Sequence, residues 1–337
     1  MSKIKYIIRC VRYMDFRGML RTVREIARES RRLPLCVFID MIWCALRYGA
    51  GYVDYRIFNF ARLSAKQRGT FVTRGINNDL IRRLNNRSDY RLMDDKAEFN
   101  KLFGGYIGRG WIDLRDSSAE QLAAFLAGKR AVIAKPVSEI SGKGVIMVEQ
   151  AHRKDPKELY CRLKQSGQVL VEEVVAQHHE ISRLYPGSVN TLRLVTIAMP
   201  DEVHIVYRAM RFGVGENVVD NFNSGGMFAL VNDSGIIYTD AINKQTEMFH
   251  AHPTTGEVFE GTQIPFFAEA QAMTKEAARL VPGIRYAGWD VAITETGPLF
   301  IEANHNPGHD MMQSKLLLME SEYGLLPLFR RITGQTK

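Results

Sequence analysis

Three side chains with oxygen donors lie in two successive apolar runs. Glu302 and Asn304 occupy alternate positions in "FIEAN", and Asp290 follows "GW" in the run before it. Because alternate residues of a strand face the same side, Glu302 and Asn304 are predicted to share one face, and a hairpin would bring Asp290 there. Two carboxylates and an amide oxygen are hard ligands that suit Mg²⁺. The Glu-x-Asn pair alone is common, so the prediction depends on the other motifs of the chain.

A second group of residues has the chemistry to contact phosphate. Lys135 ends the apolar run "VIAK", and "SGKG" precedes the next apolar run. Gly142 and Gly144 let the backbone fold closely over a ligand, so that successive N–H groups can cradle phosphate oxygens. Ser141 and Lys143 add donors. The P-loop spacing GxxxxGK[ST] is missing, and a plain hairpin turn explains the segment as well.

The segment "LVEEVVAQHHEI" has the features of a nucleoside-binding strand. An apolar run ends in Glu172 and Glu173, and Glu180 follows seven residues after Glu173. An extended segment with free backbone groups can bind an adenine edge, and a later glutamate can bind a ribose diol. The alternative is an edge strand with solvated acids.

The elements that must position these residues change in kind along the chain. Up to about residue 95 the periodicity is helical, whereas short β-rich runs with Gly and Pro dominate from about residue 129. The runs "YAGWDVAIT" and "PLFIEAN" are predicted to form a hairpin. We therefore predict an α+β chain with a helical N-terminal region at 1–95 and a second domain at 96–337. A mobile subdomain is predicted at about 129–175.

Composition limits the class of protein. The chain has 337 residues, of which 46% are hydrophobic and 24% charged, as in soluble globular proteins of one or two domains. Its four cysteines lack metal-ligand spacing and fit buried thiols in a reducing compartment. The apolar stretch 33–51 contains Asp40 and Arg47, so it is predicted to be a buried helix and not a membrane span. We expect a cytoplasmic protein.

The net charge of +8 is concentrated at the N-terminus. Residues 1–32 contain ten Lys or Arg against three acids. Helical spacing aligns five of them on one face: Arg17, Arg21, Arg24, Arg28 and Arg31. One interpretation is a solvated face. The alternative is a docking face for anionic lipid at the inner membrane surface, a lipid-linked glycan pyrophosphate or an acidic partner such as a glycosyltransferase. Nucleic acid is not an expected partner, because no recognition motif is present.

Taken together, the motifs resemble those of the ATP-grasp superfamily, and within it those of the sugar-transfer-associated ATP-grasp proteins found with polysaccharide biosynthesis. The resemblance covers about residues 50–315. It depends on the order of "MDDKAEF", "AKPVSEISGKGV", "VEEVVAQHHEI", "GSVNTLRLVT", "RAMRFG", "NFNSGG", "GWDV" and "FIEANHNPG". It implies the ATP-grasp fold, in which two α+β subdomains grip ATP, preceded here by the mainly helical region.

The resemblance also implies a role for each matching residue. Lys96 and Lys135 would contact the ATP phosphates, and Glu180 would hold the ribose. The other implied residues form the loop over the phosphates (Ser141, Gly142, Lys143 and Gly144), line the adenine (Glu172, Glu173 and Val175), position the γ-phosphate (Asn221) or bind Mg²⁺ (Asp290, Glu302 and Asn304).

The sequence departs from the family pattern in two places. Many carboxylate–amine ligases of the superfamily carry an Arg two residues before the first metal-binding Asp, where this chain has Gly288. Arg193, Arg211 or Arg208 would then have to supply the charge as a catalytic residue. The alternative is that these arginines are ordinary strand residues. The second departure is the helical N-terminal region, where many relatives have an α/β domain.

The implied function is ATP- and Mg²⁺-dependent ligation of a carboxylate to an amine through an acyl phosphate, with ADP and phosphate as products. The family context suggests a sugar carboxylate or glycan intermediate of cell-surface polysaccharide biosynthesis as one substrate and an amino acid or small amine as the other. The alternatives are a small-molecule or sugar kinase and a non-catalytic nucleotide-binding subunit of a polysaccharide assembly complex.

Overall fold

The computed structural model describes residues 15–138, 144–151, 154–215, 225–314 and 322–334. These residues form two compact units. The first contains the described residues up to Leu80 and from His309 onward, and the second is Ile81–Gly308. The domain boundary predicted at residue 95 lies inside the second unit, and that division and the mobility of 129–175 stay predictions.

The helices of the described ranges are short, and few exceed three turns. In chain order they are α1 (Phe16–Ser30), α2 (Pro34–Tyr48), α3 (Tyr52–Ile57), α4 (Ala65–Arg68), α5 (Arg74–Leu84), α6 (Arg91–Asp94), α7 (Lys96–Leu102), α8 (Ala119–Leu126), α9 (Pro156–Ser166), α10 (His179–Ser182), α11 (Phe267–Arg279) and α12 (Leu326–Thr333). Single 3₁₀ turns are found at Phe60–Arg62, Arg87–Asp89, Gly104–Tyr106 and Met311–Gln313. None of the helices described here combines the length and the apolar character needed to cross a bilayer.

The first unit is helical and has its own apolar core. Asp15 caps α1 by accepting a hydrogen bond from the Gly18 N–H, and Pro34 occupies the first turn of α2, where its missing N–H costs nothing. The core is aromatic, and its buried residues include Val23, Met41, Tyr55, Phe58, Phe60 and Phe71.

The strands of the second unit form two sheets. They are β1 (Trp111–Asp113), β2 (Ala131–Lys135), β3 (Ile146–Glu149), β4 (Leu170–Glu173), β5 (Thr191–Ala198), β6 (Val203–Phe212), β7 (Met227–Leu230), β8 (Ala241–Asn243), β9 (Met248–Phe249), β10 (Tyr286–Thr294) and β11 (Gly297–Asn304). The small sheet has the order β1-β4-β2-β3, and the large sheet has the order β11-β10-β5-β6-β7-β8-β9.

The large sheet sets the register of the chemically interesting residues. The predicted hairpin is confirmed as β10 and β11, in which Asp290 pairs with Glu302 and Gly288 pairs with Asn304. On its other edge, β10 pairs with β5, so that Arg193 lies opposite Asp290. Residues directly opposite each other in antiparallel strands project to the same face. This register therefore concentrates charged side chains on one face of the sheet.

Trp289 lies between Gly288 and Asp290 in β10 and anchors the strand. Its side chain is fully buried, its ring contacts those of Phe103 and Phe300, and its Nε1–H donates to Thr196 Oγ1 on β5 at 2.9 Å. The apolar core behind the large sheet thus holds β10 against β5.

We expect Trp289→Ala to lower the free energy of unfolding by about 3–5 kcal/mol, because it leaves a large cavity in a packed core. The measurement is urea unfolding followed by circular dichroism. The exposed Leu280→Ala is the control and should change stability by less than about 0.5 kcal/mol. An equal effect of the two changes would contradict this packing.

Candidate active site

A cavity of about 400 Å³ in the second unit is lined by strands of both sheets. This volume lies within the usual range of sites for small ligands. The small sheet contributes residues of β2, β3 and β4, and the large sheet contributes residues of β5, β6, β10 and β11. Eight of the residues implicated by the sequence line this cavity: Lys96, Lys135, Glu172, Glu173, Val175, Arg211, Asp290 and Glu302.

One part of the cavity is apolar. Residues 174–176 continue from β4 without regular secondary structure and line the cavity. The apolar residues of the cavity lining include Ile133, Val145, Met147, Val174, Val175 and Ile301. An apolar slot beside backbone that has left the sheet suits a flat heteroaromatic ring, which needs both apolar contact and hydrogen bonds at its edge.

The buried carboxylate of Glu172 organises the small-sheet side of the cavity. Lys135 Nζ lies 2.7 Å from Glu172 Oε2. Arg109 donates from Nε and Nη2 to the two carboxylate oxygens, at 3.1 Å each, and Asn100 Nδ2 donates to Oε1 at 2.7 Å. A buried charge is tolerated when it is paired and hydrogen-bonded, and Glu172 meets both conditions.

The protonation of this cluster follows from its geometry. Burial by itself would raise the pKa of Glu172, but the charges of Lys135 and Arg109 outweigh burial and lower its pKa to about 2. Burial lowers the pKa of Lys135, whereas the Glu172 charge acts in the opposite direction. Glu172 is thus ionised at neutral pH and favours the cationic form of Lys135.

On the large-sheet side, the carboxylate of Asp290 lies between two guanidinium groups. Arg193 Nε is 2.6 Å from Oδ1, and Arg193 Nη2 donates to Oδ2 at 2.9 Å. Arg211 Nη1 donates to the same Oδ2 at 2.9 Å. All three residues are buried. Burial alone would raise the pKa of Asp290, but the two arginine charges prevail and lower it.

Gly288 makes room for Arg193. A Cβ built at position 288 would lie only 2.7 Å from Arg193 Nη1 and 3.4 Å from the amide atoms of Asn304. With its amide oxygen turned toward the guanidinium, Asn304 accepts a hydrogen bond from Arg193 Nη1 at 2.7 Å. The guanidinium of Arg193 therefore fills the space that a side chain at position 288 would take.

Glu302 faces the cavity beside Asp290. The two residues pair across β10 and β11, and both line the cavity. Glu302 Oε2 lies 3.8 Å from Lys96 Nζ, and the Glu302 side chain is 34% exposed, which leaves it accessible to a ligand. The Glu302 carboxylate offers oxygen donors of the kind that Mg²⁺ prefers. The Asp290 oxygens contact Arg193 and Arg211, and the Asn304 amide is directed at Arg193.

The other predicted residues are distributed differently. Glu173 and Val175 line the cavity. Glu180 is absent from the described lining. Its Oε2 accepts from Arg183 Nε at 3.0 Å in an exposed pair, and its ribose role stays a prediction. Gly144 has a φ of +73°. Ser141, Gly142, Lys143 and Asn221 lie outside the described residues.

Of the three candidate arginines, two meet at Asp290. Arg208 Nη1 instead pairs with Asp233 Oδ1 at 2.7 Å. The sequence reasoning missed Arg109 and Asn100, which hold Glu172. Arg109 also donates to the Phe300 carbonyl at 2.6 Å, so it connects β4 to β11. No spacing in the sequence marks these two residues, because their contacts depend on distant parts of the chain.

The sequence profile described as "Sugar-transfer associated ATP-grasp" matches residues 75–323. Because the match covers most of the chain, the chain belongs to the sugar-transfer-associated ATP-grasp family. The predicted family and the predicted fold class, an α+β ATP-grasp fold preceded by a helical N-terminal region, are confirmed. No curated protein gives a significant match.

Several solved structures have similar folds at low sequence identity. D-alanyl-alanine synthetase A from Vibrio cholerae matches with 10% identity and a TM-score of 0.44, over 72% of this chain and 65% of that protein. Biotin carboxylase from Campylobacter jejuni matches with 13% identity and a TM-score of 0.46, over 83% of this chain and 52% of that protein. L-amino acid ligase from Bacillus licheniformis matches with 14% identity and a TM-score of 0.38, over 67% of this chain and 44% of that protein. The chain thus spans less than two thirds of the length of each.

Glu172 should make stability depend on pH in the acid range. Its folded pKa of about 2 lies below its ordinary value of 4.5, so its stabilising contribution is complete above about pH 5 and is lost as the pH falls from 4.5 toward 2. We expect the stability gap between wild type and Glu172→Gln to be about 2 kcal/mol smaller at pH 3 than at pH 7.

Urea unfolding at a series of pH values measures this gap. Glu276→Gln, at an exposed position of α11, is the matched control and should follow the wild type at every pH. If the Glu172→Gln and wild-type curves run parallel between pH 7 and pH 3, then Glu172 is not held by the two cations.

Proposed function

We propose that this protein is an ATP- and Mg²⁺-dependent ligase that activates a carboxylate as an acyl phosphate and joins it to an amine. The observation that carries the proposal is the arrangement of charge in one cavity. Asp290 and Glu302 supply oxygen donors, Arg211 and Lys96 supply cations that line the same cavity, and Arg193 pairs with Asp290. Membership of the ATP-grasp family supports the assignment of ATP to this cavity.

The nucleotide has a suitable environment along the cavity. The apolar slot at 174–176 would take the adenine. Lys135, whose cationic form Glu172 favours, would contact the phosphates from the small-sheet side. Lys96 would contact them from the Glu302 side. A lysine ammonium bound to phosphate oxygens makes charge-assisted hydrogen bonds, which are among the stronger ones in proteins.

The protein's own groups prepare the site for phosphoryl transfer. Glu302 and Asp290, with Asn304 beside them, would hold Mg²⁺, which supplies positive charge to the phosphate oxygens. Arg193 and Arg211 are fixed in place by Asp290 before any substrate arrives. Preorganised donors of this kind stabilise the charge that develops on the transferred group, because they need no reorientation during the reaction.

The geometry gives a physical reason for the glycine at position 288. Arg193 reaches the space above Gly288 from β5, so the guanidinium that other ligases carry on the metal-binding strand would come here from its neighbour. A planar guanidinium can bind a phosphate or carboxylate with two parallel hydrogen bonds. We therefore assign Arg193 and Arg211 as the groups that stabilise the transferred phosphoryl group and the acyl phosphate.

The substrates are inferred from the family description and from charge. The sugar-transfer association supports a sugar acid or a glycan intermediate of polysaccharide biosynthesis as the carboxylate, with an amino acid or small amine as the nucleophile. The reaction would take place in the cytoplasm. The basic face of α1 would bring the enzyme to the inner membrane surface or to a glycosyltransferase there.

A screen of ADP release across uronic acids and amino acids tests this function. The expected result is ADP release that requires a carboxylate, and formation of a hydroxamate when hydroxylamine replaces the amine. Release that requires only a hydroxyl substrate would show a kinase. Nucleotide binding without turnover on any substrate would show a non-catalytic subunit.

We expect Glu302→Gln to reduce ADP release to background while the fold and ATP binding are retained. The change keeps the shape of the side chain but removes the charge that faces the cation. Calorimetric titration with ATP and the ADP-release assay measure the two properties. Glu276→Gln serves as the control for loss of one exposed carboxylate. Turnover of Glu302→Gln within a few-fold of wild type would exclude Glu302 as a metal ligand.

Gly288→Ala tests the position of Arg193. Its Cβ would meet the end of a flexible side chain, so the guanidinium should move while the fold stays intact. We expect kcat to fall about 10²-fold, the scale of losing one transition-state donor, with ATP affinity nearly unchanged. Arg193→Lys should give a similar loss, because lysine keeps the charge but cannot make the two parallel hydrogen bonds of a guanidinium.

Gly105→Ala is the matched control, since a Cβ there meets nothing within 4 Å. It should leave kcat and the melting temperature unchanged. If Gly288→Ala and Arg193→Lys both retain full ligation activity, Arg193 does not stabilise the transition state.

A further inference from the structure

An apolar surface on helix α2 is not explained by the ATP site. Five large apolar side chains project from this helix into solvent at helical spacing, and we call them the α2 face: Leu35, Ile39, Ile42, Trp43 and Leu46. Trp43 is 58% exposed and Leu46 is 59% exposed. The preceding Leu33 is 72% exposed and extends the same apolar surface along the chain.

The α2 face cannot be attributed to the core of its own unit. Val37, Met41 and Cys44 on the opposite side of α2 are buried in the aromatic core. The helix is therefore apolar on two sides, of which only one is covered by the described part of the chain. A surface helix normally has a polar outer side, and contiguous exposed apolar patches generally mark an interaction surface.

Exposed arginines lie at both ends of α2 and along one side of α1. Arg31 and Arg32 immediately precede the helix, and Arg47 lies near its end, all three exposed. On α1, four further arginines are exposed along one side: Arg17, Arg21, Arg24 and Arg28. The sequence interpretation of a basic helical face thus agrees with their exposure.

The only acid on α2 is Asp40, and it offsets one of these charges, because Arg32 Nη1 lies 3.4 Å from its Oδ2. Asp40 is turned toward the protein, where Arg68 donates to both of its oxygens at 2.7 and 2.9 Å and the Tyr55 hydroxyl donates at 2.6 Å. The α2 face therefore consists of apolar side chains, and arginines lie near both ends of its helix.

We propose that the α2 face is a membrane-docking surface that inserts among the headgroups of anionic lipids, with the exposed arginines of α1 in contact with those headgroups. Amphipathic surfaces of this composition, with Trp, Leu and Ile beside Arg, bury their apolar side at the headgroup boundary. Each basic residue near an anionic leaflet strengthens binding by about fivefold. The inference is independent of the ATP site.

Charge favours lipid over a second copy of the chain. Pairing two α2 faces would bring the arginines of both chains together, and like charges across an interface oppose association. An anionic bilayer instead complements both the apolar side chains and the guanidinium groups. It would also place the enzyme beside lipid-linked precursors.

The test is cosedimentation of the full-length protein with two kinds of vesicle. One contains phosphatidylcholine alone, and the other contains about one third phosphatidylserine. We expect binding to the anionic vesicles at least about tenfold stronger than to the neutral ones. Brominated lipids should quench the tryptophan fluorescence of wild type. They should quench that of Trp43→Phe less, because the quenching assigned to Trp43 is lost.

Two variants separate the apolar and basic contributions. Ile39→Asn with Trp43→Ser should weaken binding to anionic vesicles at least about tenfold. Arg21→Gln, Arg24→Gln and Arg28→Gln together should weaken it about 100-fold. All variants retain residues 1–14, and circular dichroism checks that each is folded.

Matched controls change the same chemistry in the second unit. Lys154→Gln, Lys157→Gln and Arg162→Gln remove three exposed cations, and Val258→Ser with Leu280→Ser removes two exposed apolar groups. Both controls should bind vesicles like wild type.

Equal binding of the α2-face variant and its control would overturn the proposal. Mass photometry without lipid tests the other occupant. If wild type forms dimers that the α2-face variant does not form, the occupant of the face is a second copy and the proposal is overturned. The ADP-release activity of every variant in the absence of vesicles should equal that of wild type, which separates this test from that of the proposed function.

Discussion

The buried ion cluster of Asp290 with Arg193 and Arg211 is the constraint on which the site depends. A carboxylate removed from water is stable only with partners that replace its hydration, and both partners here come from other strands. The cluster therefore requires β10, β5 and β6 to keep a single register. A one-residue slip of β10 would turn Asp290 to the opposite face and leave two guanidinium groups buried without a counter-charge.

The same register positions the rest of the chemistry. Pairing with Asp290 directs Glu302 into the cavity, and Arg109 ties β11 to Glu172 and so to the small sheet. The two carboxylates of opposite sheets, Glu172 and Asp290, are each held by two cations. Each side of the cavity therefore has fixed positive groups, and such groups suit the binding of a polyphosphate.

The sequence predicted the parts of this site that follow from local pattern. Alternation in "FIEAN" places Glu302 on a strand face, and the hairpin prediction brings Asp290 beside it. The pattern does not predict which residue replaces the arginine missing at position 288, because that depends on the pairing of β5 with β10 across almost one hundred residues. Arg109 was missed for the same reason. Glu180 matches the family motif, and in the fold it pairs with Arg183, three residues further along the chain.

A crystal structure of the protein with a non-hydrolysable ATP analogue and Mn²⁺ tests the central claim most directly, because anomalous scattering locates the metal independently of the model of the protein. Mn²⁺ prefers the same oxygen ligands as Mg²⁺. The account predicts Mn²⁺ bound by Glu302 and Asp290, with adenine in the slot at 174–176 and Arg193 still above Gly288. Metal bound elsewhere, or adenine outside that slot, would contradict it.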